Sequence, residues 1–313
     1  MHWADRIGRR LKLRDLHILL AVAQCGSMTK AASQLSVSNP VISKAIADME
    51  HTLGVRLLDR GPHGVEPTIY GRALLDRGLV AFDELRQAVK HIEFLADPTA
   101  GELRIGADIP IASSIVTAVI DQLSRRYPRI VFHVLAGETG LTYRALEERK
   151  VDLVVVRIFA PVAEDLMQVE ILHDEFEVVA AGAQNPWTRR RRAKLADLVN
   201  EPWTLPPPDS LAGSIVAEAF RASGLDVPRT TVVTSTTPVR NALLATGRFL
   251  TIFSNSALIF GTDNPALKRL PVHLPTKRRP VGIITLKNRT LSPVAQLFID
   301  CAREVAKPLD RRK

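Results

Sequence analysis

The sequence predicts an α/β protein in two parts, a small and mainly helical N-terminal domain followed by a larger α/β domain. Three patterns support this prediction: two short amphipathic helices between residues 27 and 53, one long helix that reaches about residue 95, and alternating strands and helices from residue 102 onward. Such alternation is typical of a parallel sheet covered on both faces. A chain of 313 residues is long enough for two or more domains.

The first pattern lies between Ser27 and Glu50 and predicts a helix-turn-helix. Ser27 can cap the first helix, and Ser38 or Asn39 can cap the second, which has Pro40 in its first turn. Apolar residues recur at helical spacing in the second helix and form its buried stripe. These residues are Ile42, Ile46, Met49 and Leu53.

The opposite face of the second helix suits DNA. Small hydrogen-bonding groups near a helix start fit base edges in the major groove, and Lys44 suits a phosphate or a guanine. The candidate DNA-binding residues on the two helices are Thr29, Lys30, Ser38, Asn39, Pro40, Val41, Ser43 and Lys44. Helix pairs also occur in all-helical domains that bind no DNA, so the pair by itself leaves both interpretations open.

Two short apolar segments follow between Leu53 and Gly71, on either side of a turn-rich tip at residues 61–64. This pattern predicts a β-hairpin, or wing, that lies against the DNA backbone. Arg56 and Arg60 are candidate phosphate contacts, and His63 at the tip is a third candidate. A wing directly after a helix pair favours the DNA-binding interpretation.

Together these residues resemble the LysR-type transcriptional regulators. The resemblance is carried, in the order and spacing of that family, by Leu16, Ala31-Ala32, Leu35, Ser38-Asn39-Pro40-Val41, Ser43, Ile46, Glu50, Leu53-Gly54, Leu57, Arg60, Thr68 and Gly71. The chain departs from the family pattern at Leu58, Met49, Asn39 and His63, where Phe, Leu, Gln and Arg are usual or frequent. The resemblance implies a winged helix-turn-helix, a dimerising linker helix and an effector domain that is similar to periplasmic solute-binding proteins.

The long helix carries an apolar series at spacings of three and four, which predicts a dimer seam like that of a coiled coil. The candidate dimerisation residues are Leu75, Leu79, Phe82, Leu85, Val89 and Ile92. The same series could instead pack against the body of its own chain, and the family resemblance favours the dimer.

The expected domain boundaries follow from these patterns. Residues 1–68 form the winged domain, 69–95 the linker helix, 96–101 a Pro- and Gly-containing hinge, and 102–313 the effector domain. Within the effector domain, residues 102–174 and 279–313 are expected to form lobe I, and residues 175–278 lobe II. Two lobes joined by crossing strands would enclose a cleft.

Five places follow predicted strands or precede predicted helices, which is where open α/β sheets bind ligands. The candidate effector-binding residues are Asp108, Ile109, Glu138, Thr139, Arg157, Asp209, Ser210, Thr236 and Thr237. Arg157 suits a carboxylate or a phosphate, although it could instead pair with Asp108 or Glu138. Asp108, Ser210 and Thr236 would also be favoured as helix N-caps without any ligand. The same mixture of side chains could equally hold a sugar.

No arrangement of residues indicates an enzyme. The eight histidines have no cysteine or second histidine at ligand spacing, so we expect no metal and no cofactor. Cys25 and Cys301 are too few for a disulfide framework, and neither a signal peptide nor a membrane-spanning stretch is recognisable. We therefore expect a cytoplasmic protein, whose net charge of +9 favours an anionic partner such as nucleic acid.

The sequence thus predicts a DNA-binding transcriptional regulator whose promoter binding and bending respond to a small-molecule effector, either a carboxylate or a sugar. The resemblance implies a homodimer or homotetramer on an inverted repeat of double-stranded DNA, and contact with RNA polymerase if the regulator is an activator. The alternative is a small-molecule-binding protein or α/β enzyme whose N-terminal module mediates protein contacts. A steep fall of DNA affinity with salt would favour the regulator.

Overall fold

The computed structural model describes residues 10–61, 64–163, 165–260 and 267–310. Within these ranges the residues up to Val89 pack as one compact unit, and those from Lys90 onward pack as a second. The division falls inside the long helix rather than at the expected hinge. None of the helices in the described ranges combines the length and the apolar character that a bilayer span requires.

The first unit is a winged helix-turn-helix, as the residue pattern predicts. Its elements are helices α1 (Leu13–Cys25), α2 (Met28–Gln34) and α3 (Asn39–Leu53) and strands β1 (Leu58–Gly61) and β2 (Gly64–Pro67). Leu19, Ile42 and Met49 are almost fully buried in the core between the helices. The two strands pair antiparallel, with Arg60 opposite Val65, and form the wing.

Local chemistry determines where these helices begin and end. The Ser27 hydroxyl caps α2 by accepting a hydrogen bond from the backbone N–H of Lys30 at 3.4 Å. Pro40 lies in the first turn of α3, where a missing backbone donor has no consequence. Helix α3 ends at Gly54, whose φ of 73° lies in the left-handed region that glycine adopts without strain.

Helix α4 (Ile69–Ala96) is 28 residues long, and its first half packs on the winged domain. Leu75 is only 8% exposed within the core of that domain, and the ring of the half-buried Phe82 lies 5.7 Å from the His17 ring. Gly78 lies so close to Leu16 that a Cβ would clash with it. Leu75 and part of Phe82 therefore meet the core of their own domain, which is the alternative that the apolar series also allowed, because helical spacing does not reveal which surface an apolar face meets.

The second unit alternates strands and helices. Its strands are β3 (Ala100–Asp108), β4 (Arg129–Gly137), β5 (Leu153–Arg157), β6 (Met167–Glu175), β7 (Glu177–Gly182), β8 (Thr204–Leu205), β9 (Val232–Val233), β10 (Leu250–Ser254), β11 (Leu267–Arg269) and β12 (Arg279–Leu286). Its α-helices are α5 (Ile109–Ile111), continued by a π-helical turn (Ala112–Val116) into α6 (Thr117–Arg126), then α7 (Thr139–Glu147), α8 (Leu211–Ala222), α9 (Thr237–Ala245), α10 (Asn255–Phe260) and α11 (Pro293–Asp310). Two short 3₁₀ helices lie at Pro186–Arg189 and Leu195–Leu198.

The larger sheet of this unit has five strands in the order β4-β3-β5-β12-β6. Strand β3 is parallel to β4 and β5, whereas β12 is antiparallel to both β5 and β6. The sheet is therefore mixed and not wholly parallel as expected, because β12 enters it only after the chain has built the second lobe. Ile105, Val155 and Phe298 are among the buried residues that join this sheet to its helices.

The smaller sheet is made of three antiparallel-paired strands in the order β10-β7-β11, next to the parallel pair β8-β9. A bridge between Trp203 and Leu250 connects the pair to β10. The Trp203 ring packs edge-on against Phe220, with centroids 5.5 Å apart, at the centre of this lobe's core. The chain crosses from one lobe to the other between β6 and β7, where Glu175 and Glu177 lie.

A buried ion cluster fixes the end of α4 to the larger sheet. One oxygen of Asp152 accepts hydrogen bonds from Lys90 Nζ and from the backbone N–H of Arg104, both at 2.9 Å, and the other accepts one from Arg289 Nη2 at 3.0 Å. Burial by itself would raise the pKa of Asp152, but the charge of Lys90 and the Arg104 amide lower it below its ordinary value.

Candidate functional site

The start of α3 presents an exposed polar surface together with α2. Asn39 Nδ2 donates a hydrogen bond to Thr29 Oγ1 at 3.2 Å, so the two helices meet at their exposed ends. Ser38 is the N-cap residue of α3, yet its hydroxyl makes no capping hydrogen bond. That hydroxyl is therefore available to another partner. The fully exposed members of the predicted DNA-contact set on these helices are Thr29, Lys30, Ser38, Asn39, Pro40 and Lys44.

The other two members of that set are half-buried. Ser43 Oγ lies 3.7 Å from the sulfur of Met28, so its hydroxyl faces α2, and Val41 is partly covered as well. On the opposite side of the helix, Ala45 and Ile46 enter the core.

Two contacts hold the wing against the helices. Glu50, in α3, accepts hydrogen bonds at Oε1 from the backbone N–H groups of Leu57 at 2.7 Å and Leu58 at 3.2 Å. The backbone N–H of Val65 donates to the carbonyl oxygen of Gly26 at 2.9 Å. Arg56 and Arg60 are exposed, and the predicted contact His63 lies outside the described residues.

The second half of α4 exposes an apolar stripe. Leu85, Val89 and Ile92 are 47%, 53% and 65% exposed, and Leu79 is 36% exposed at the edge of the stripe. A contiguous exposed apolar surface of this kind is typical of an interface. We name Leu79, Leu85, Val89 and Ile92 the α4 stripe.

Two cavities flank Arg157 where the lobes meet. The first, which we call the cleft cavity, has a volume of about 70 Å³, and its walls include Pro110, Ser113, Arg157, Thr237, Arg240 and Ser254. The second, the side cavity, has a volume of about 300 Å³, and its walls include Thr139, Tyr143, Arg157 and Phe159. Arg157 lines both and is itself only 7% exposed.

Three of the nine predicted effector-binding residues line these cavities, namely Thr139, Arg157 and Thr237. The other six, which line neither, are Asp108, Ile109, Glu138, Asp209, Ser210 and Thr236. Four of these six, Asp108, Glu138, Ser210 and Thr236, are helix N-cap residues, and two of the four make the side-chain capping bonds that the alternative interpretation expected. Asp108 accepts the backbone N–H of Ile111 at 3.0 Å, and Ser210 Oγ accepts that of Gly213 at 3.0 Å.

The partner of Arg157 is Glu177, and not the Asp108 or Glu138 side chain that the sequence suggested. Arg157 Nη1 lies 2.5 Å from Glu177 Oε1, and both side chains are more than nine-tenths buried. Burial by itself would lower the pKa of Arg157, but the charges of Glu177, Glu175 and Asp108 raise it, so the guanidinium stays charged. Asp108 uses its second oxygen to accept the backbone N–H of Arg157 at 3.1 Å.

Sequence reasoning missed four polar residues of the cleft cavity, Ser113, Glu177, Arg240 and Ser254. Arg240 lies one turn into α9, whose start at Thr236 and Thr237 had been singled out, so helical spacing from Thr237 could have found it. Ser254 is the last residue of β10, and a strand end at the cleft is the same signal that identified Arg157. Glu177 begins β7 directly after the crossing and carries no comparable signal.

Glu175, which lies where the chain crosses between the lobes, has hydrogen-bond partners among its neighbours. Glu175 accepts the backbone N–H groups of Phe176 at 3.1 Å and Ser256 at 3.2 Å, and it lies 3.5 Å from His173 Nε2. Burial alone would raise the pKa of Glu175, and the hydrogen bonds from His173 and Ser256 lower it below its ordinary value. Across the described ranges, no group of three or more His, Cys, Asp and Glu side chains is arranged to hold a metal ion.

Both parts of the chain match known families. Residues 13–72 match the family described as bacterial regulatory helix-turn-helix protein, lysR family, and residues 96–307 match the LysR substrate binding domain. The two matches cover the winged unit and most of the second unit.

Relatives match over nearly the whole length of the chain. The HTH-type transcriptional regulator GbpR of Azospirillum brasilense is 28% identical over 304 residues, which cover 97% of this chain and 89% of that protein. The transcriptional dual regulator GltC of Bacillus subtilis is 26% identical over 292 residues, which cover 93% of this chain and 96% of that protein.

Solved structures share the fold. A full-length OxyR variant from Pseudomonas aeruginosa superposes with a TM-score of 0.64 at 21% identity, covering 95% of this chain and 97% of that one. Full-length CbnR in complex with its target DNA superposes with a TM-score of 0.61 at 21% identity, covering 94% of this chain and 100% of that one.

Proposed function

The chain belongs to the LysR family of DNA-binding transcriptional regulators with an effector-binding domain, and from that premise we propose how its own residues bind promoter DNA and sense the effector. In this proposal, α3 enters the major groove, the wing follows the backbone, and the effector occupies the cleft between the lobes. The regulator acts where promoter DNA lies, in the cytoplasm.

The observation that carries the DNA-binding proposal is the exposed polar start of α3, where the Ser38 hydroxyl makes no capping hydrogen bond. Ser38 and Asn39 would meet base edges, with Val41 and Ser43 closer to the helix pair, while Lys44 would bind a phosphate or a guanine. Pro40 lies in the first turn of α3, where its missing backbone N–H leaves no hydrogen bond unmade. The remaining proposed phosphate contacts lie on α2 and the wing and are Thr29, Lys30, Arg56, Arg60 and His63.

Two copies of the chain would pair through the α4 stripe. Burial of Leu85, Val89 and Ile92 against a second copy removes exposed apolar surface from water and favours the dimer. A symmetric dimer would place two copies of α3 in successive major grooves of an inverted repeat, about 34 Å apart. A tetramer would contact two such sites and bend the DNA between them.

Effector binding would change the closure of the two lobes around Arg157. An effector shifts such an equilibrium only by its difference in affinity for the two shapes. The walls of the cleft cavity come from both lobes, Pro110 and Arg157 from one and Arg240 and Ser254 from the other. A change in lobe closure would therefore change the contacts of a bound effector, and with them its affinity. The resulting change in DNA bend would alter recruitment of RNA polymerase if the protein is an activator.

The proposal is tested by quantitative binding to the upstream intergenic region of the protein's own gene, with random fragments of equal length as the control. We expect preferential binding whose affinity falls steeply with salt, because the contacts to phosphates release counterions. Footprints would then be compared with and without a carboxylate or sugar that raises the thermal stability of the protein. An unchanged footprint and bend with a bound ligand would reject the effector mechanism, and equal binding to random fragments would reject the promoter contacts.

A further inference from the structure

The cleft cavity contains a buried hydroxyl without a protein partner. Ser254 is 4% exposed, lines the cavity, and no protein group in the described ranges lies within hydrogen-bond distance of its Oγ. Buried polar atoms in folded proteins are almost always hydrogen-bonded, because an unsatisfied one retains its full desolvation cost. A polar molecule inside the cavity, whether water or ligand, would complete this group.

Arg240 brings a positive charge to the same cavity. Its Nε donates to Thr251 Oγ1 at 3.2 Å, and its Nη2 donates to Thr251 Oγ1 and to the carbonyl oxygen of Ile252. These acceptors are neutral, and in the described ranges Nη1 has no protein acceptor. The guanidinium lies flat against an apolar wall, with its central carbon 4.3 Å from the centroid of the Phe253 ring.

Nearby carboxylates do not neutralise this charge through a hydrogen bond. Asp108 accepts hydrogen bonds from two backbone N–H groups, and Glu175 accepts them from two others and lies beside His173. Glu177 accepts a hydrogen bond from Arg157. Burial lowers the pKa of Arg240 to about 10, and Glu177 offsets this only in part. The guanidinium remains charged at neutral pH and lacks a bonded anion.

The size and the walls of the cavity restrict what can supply that anion. A volume of about 70 Å³ is roughly five times the ~10–15 Å³ that a cavity needs to hold one water, so the cavity fits a molecule of only a few heavy atoms. Eight of its fourteen lining residues are apolar, among them Ile215, Val216 and Phe253. A sugar carries hydroxyl groups on every side, and those that meet these apolar side chains would be left without partners.

We propose that the effector is an aliphatic monocarboxylic acid of two to four carbons, whose carboxylate is bound by Arg240 Nη1 and the Ser254 hydroxyl and whose carbon chain lies against Ile215 and Val216. Arginine and carboxylate form charge-assisted hydrogen bonds, which are stronger than bonds between neutral groups. This inference rests on the proposed function, since it names the class of effector for the same cleft.

The ion pair of Arg157 and Glu177 lines the same cavity. Glu177 accepts a hydrogen bond from Arg157 Nη1, and its charge also acts on Arg240 and raises the pKa of that guanidinium. A second carboxylate in the cavity would add a further like charge near Glu177. The site is therefore selective for monocarboxylates over dicarboxylates.

The test measures binding of acetate, propionate and butyrate to the full-length protein by titration calorimetry, with propionamide as a neutral match of propionate. We expect propionate to bind at least 10-fold more tightly than propionamide. Arg240→Met should weaken propionate binding about 10- to 100-fold and Ser254→Ala about 2- to 10-fold, as expected for loss of a charged and a neutral hydrogen-bond partner. The exposed Arg248, which lies outside the cavity, provides the control Arg248→Met, which should bind as the wild type does.

Several outcomes would overturn the inference: no binding of the three acids, equal binding of propionate and propionamide, or an equal loss in Arg248→Met. If Arg240→Met fails to fold, Ser254→Ala and the neutral amide decide the question, and wild-type affinity in Ser254→Ala rejects the site. Promoter binding is measured on the same samples. A retained promoter preference without acid binding rejects only this inference, whereas loss of that preference in the wild-type protein rejects the proposed function.

Discussion

The carboxylate of Glu50 accepts a hydrogen bond from the backbone N–H of Leu57 at 2.7 Å, and this contact joins the recognition helix to the wing. The same oxygen also accepts the backbone N–H of Leu58. Leu57 lies just before strand β1 of the wing, and Leu58 is the first residue of that strand. One side chain therefore helps to set the position of α3 relative to the wing, the two elements of the proposed DNA-binding surface.

Replacement of Glu50 by alanine should weaken both the fold and the DNA contact. Two partly buried N–H groups would lose their acceptor, which we expect to lower the free energy of unfolding by about 1–3 kcal/mol. Urea denaturation and promoter binding of the full-length protein would measure the two effects. Glu50→Gln keeps an acceptor oxygen and should therefore lose less stability and less promoter affinity than Glu50→Ala. Wild-type stability and affinity in Glu50→Ala would contradict the prediction.

Lys44→Ala should reduce promoter affinity without altering the oligomer. Loss of one phosphate contact lowers the slope of log affinity against log salt by about 0.9 per contact. If Lys44 binds a guanine instead, affinity should fall more for the promoter than for random DNA. Filter binding over a salt series separates these outcomes. Lys150→Ala, at a residue whose side chain is 70% exposed in the second unit, is the matched control.

Val89→Glu should weaken self-association at least 10-fold. The substitution places a charge in the middle of the α4 stripe, where two copies of the glutamate would be desolvated close to each other. Sedimentation velocity over a range of concentrations would measure the dissociation constant. Val227→Glu changes an apolar residue that is 45% exposed outside the stripe and should associate normally. A wild-type dissociation constant for Val89→Glu would remove the stripe from the interface.

The winged domain was predictable because its signals are local. A serine cap at Ser27, a proline at the start of α3 and a left-handed glycine at Gly54 each act within a few residues of their position. The tertiary partner of an apolar face is not a local property. This is why Leu75 and Phe82 were assigned to a seam although they meet the core of their own domain.

The cleft between the lobes also shows that local sequence signals do not reveal which residues meet in the folded chain. Arg157 lines the same cavity as Arg240 and Ser254 although it lies more than eighty residues before them in the sequence, and the crossing of strands between the lobes brings it to them. Strand ends and helix starts correctly indicated the region. They could not distinguish residues such as Asp108 and Ser210, whose polar groups cap their own helices, from residues that face the cavity.

Asp152→Asn should destabilise the second unit by about 3 kcal/mol at neutral pH, because the buried Lys90 and Arg289 would both lose the negative charge of Asp152. The pKa of Asp152 is lowered in the folded state from its ordinary value of 3.8. Its contribution is therefore fully present above that value and is lost as the pH falls through the lower folded pKa. The difference between variant and wild type, measured by urea denaturation from pH 7 to pH 3, should shrink below about pH 4.

Asp121→Asn, which removes only an exposed pair with Arg125, is the control and should change stability by less than about 1 kcal/mol. A pH-independent difference for Asp152→Asn would show that the asparagine acts through packing rather than through the lost charge.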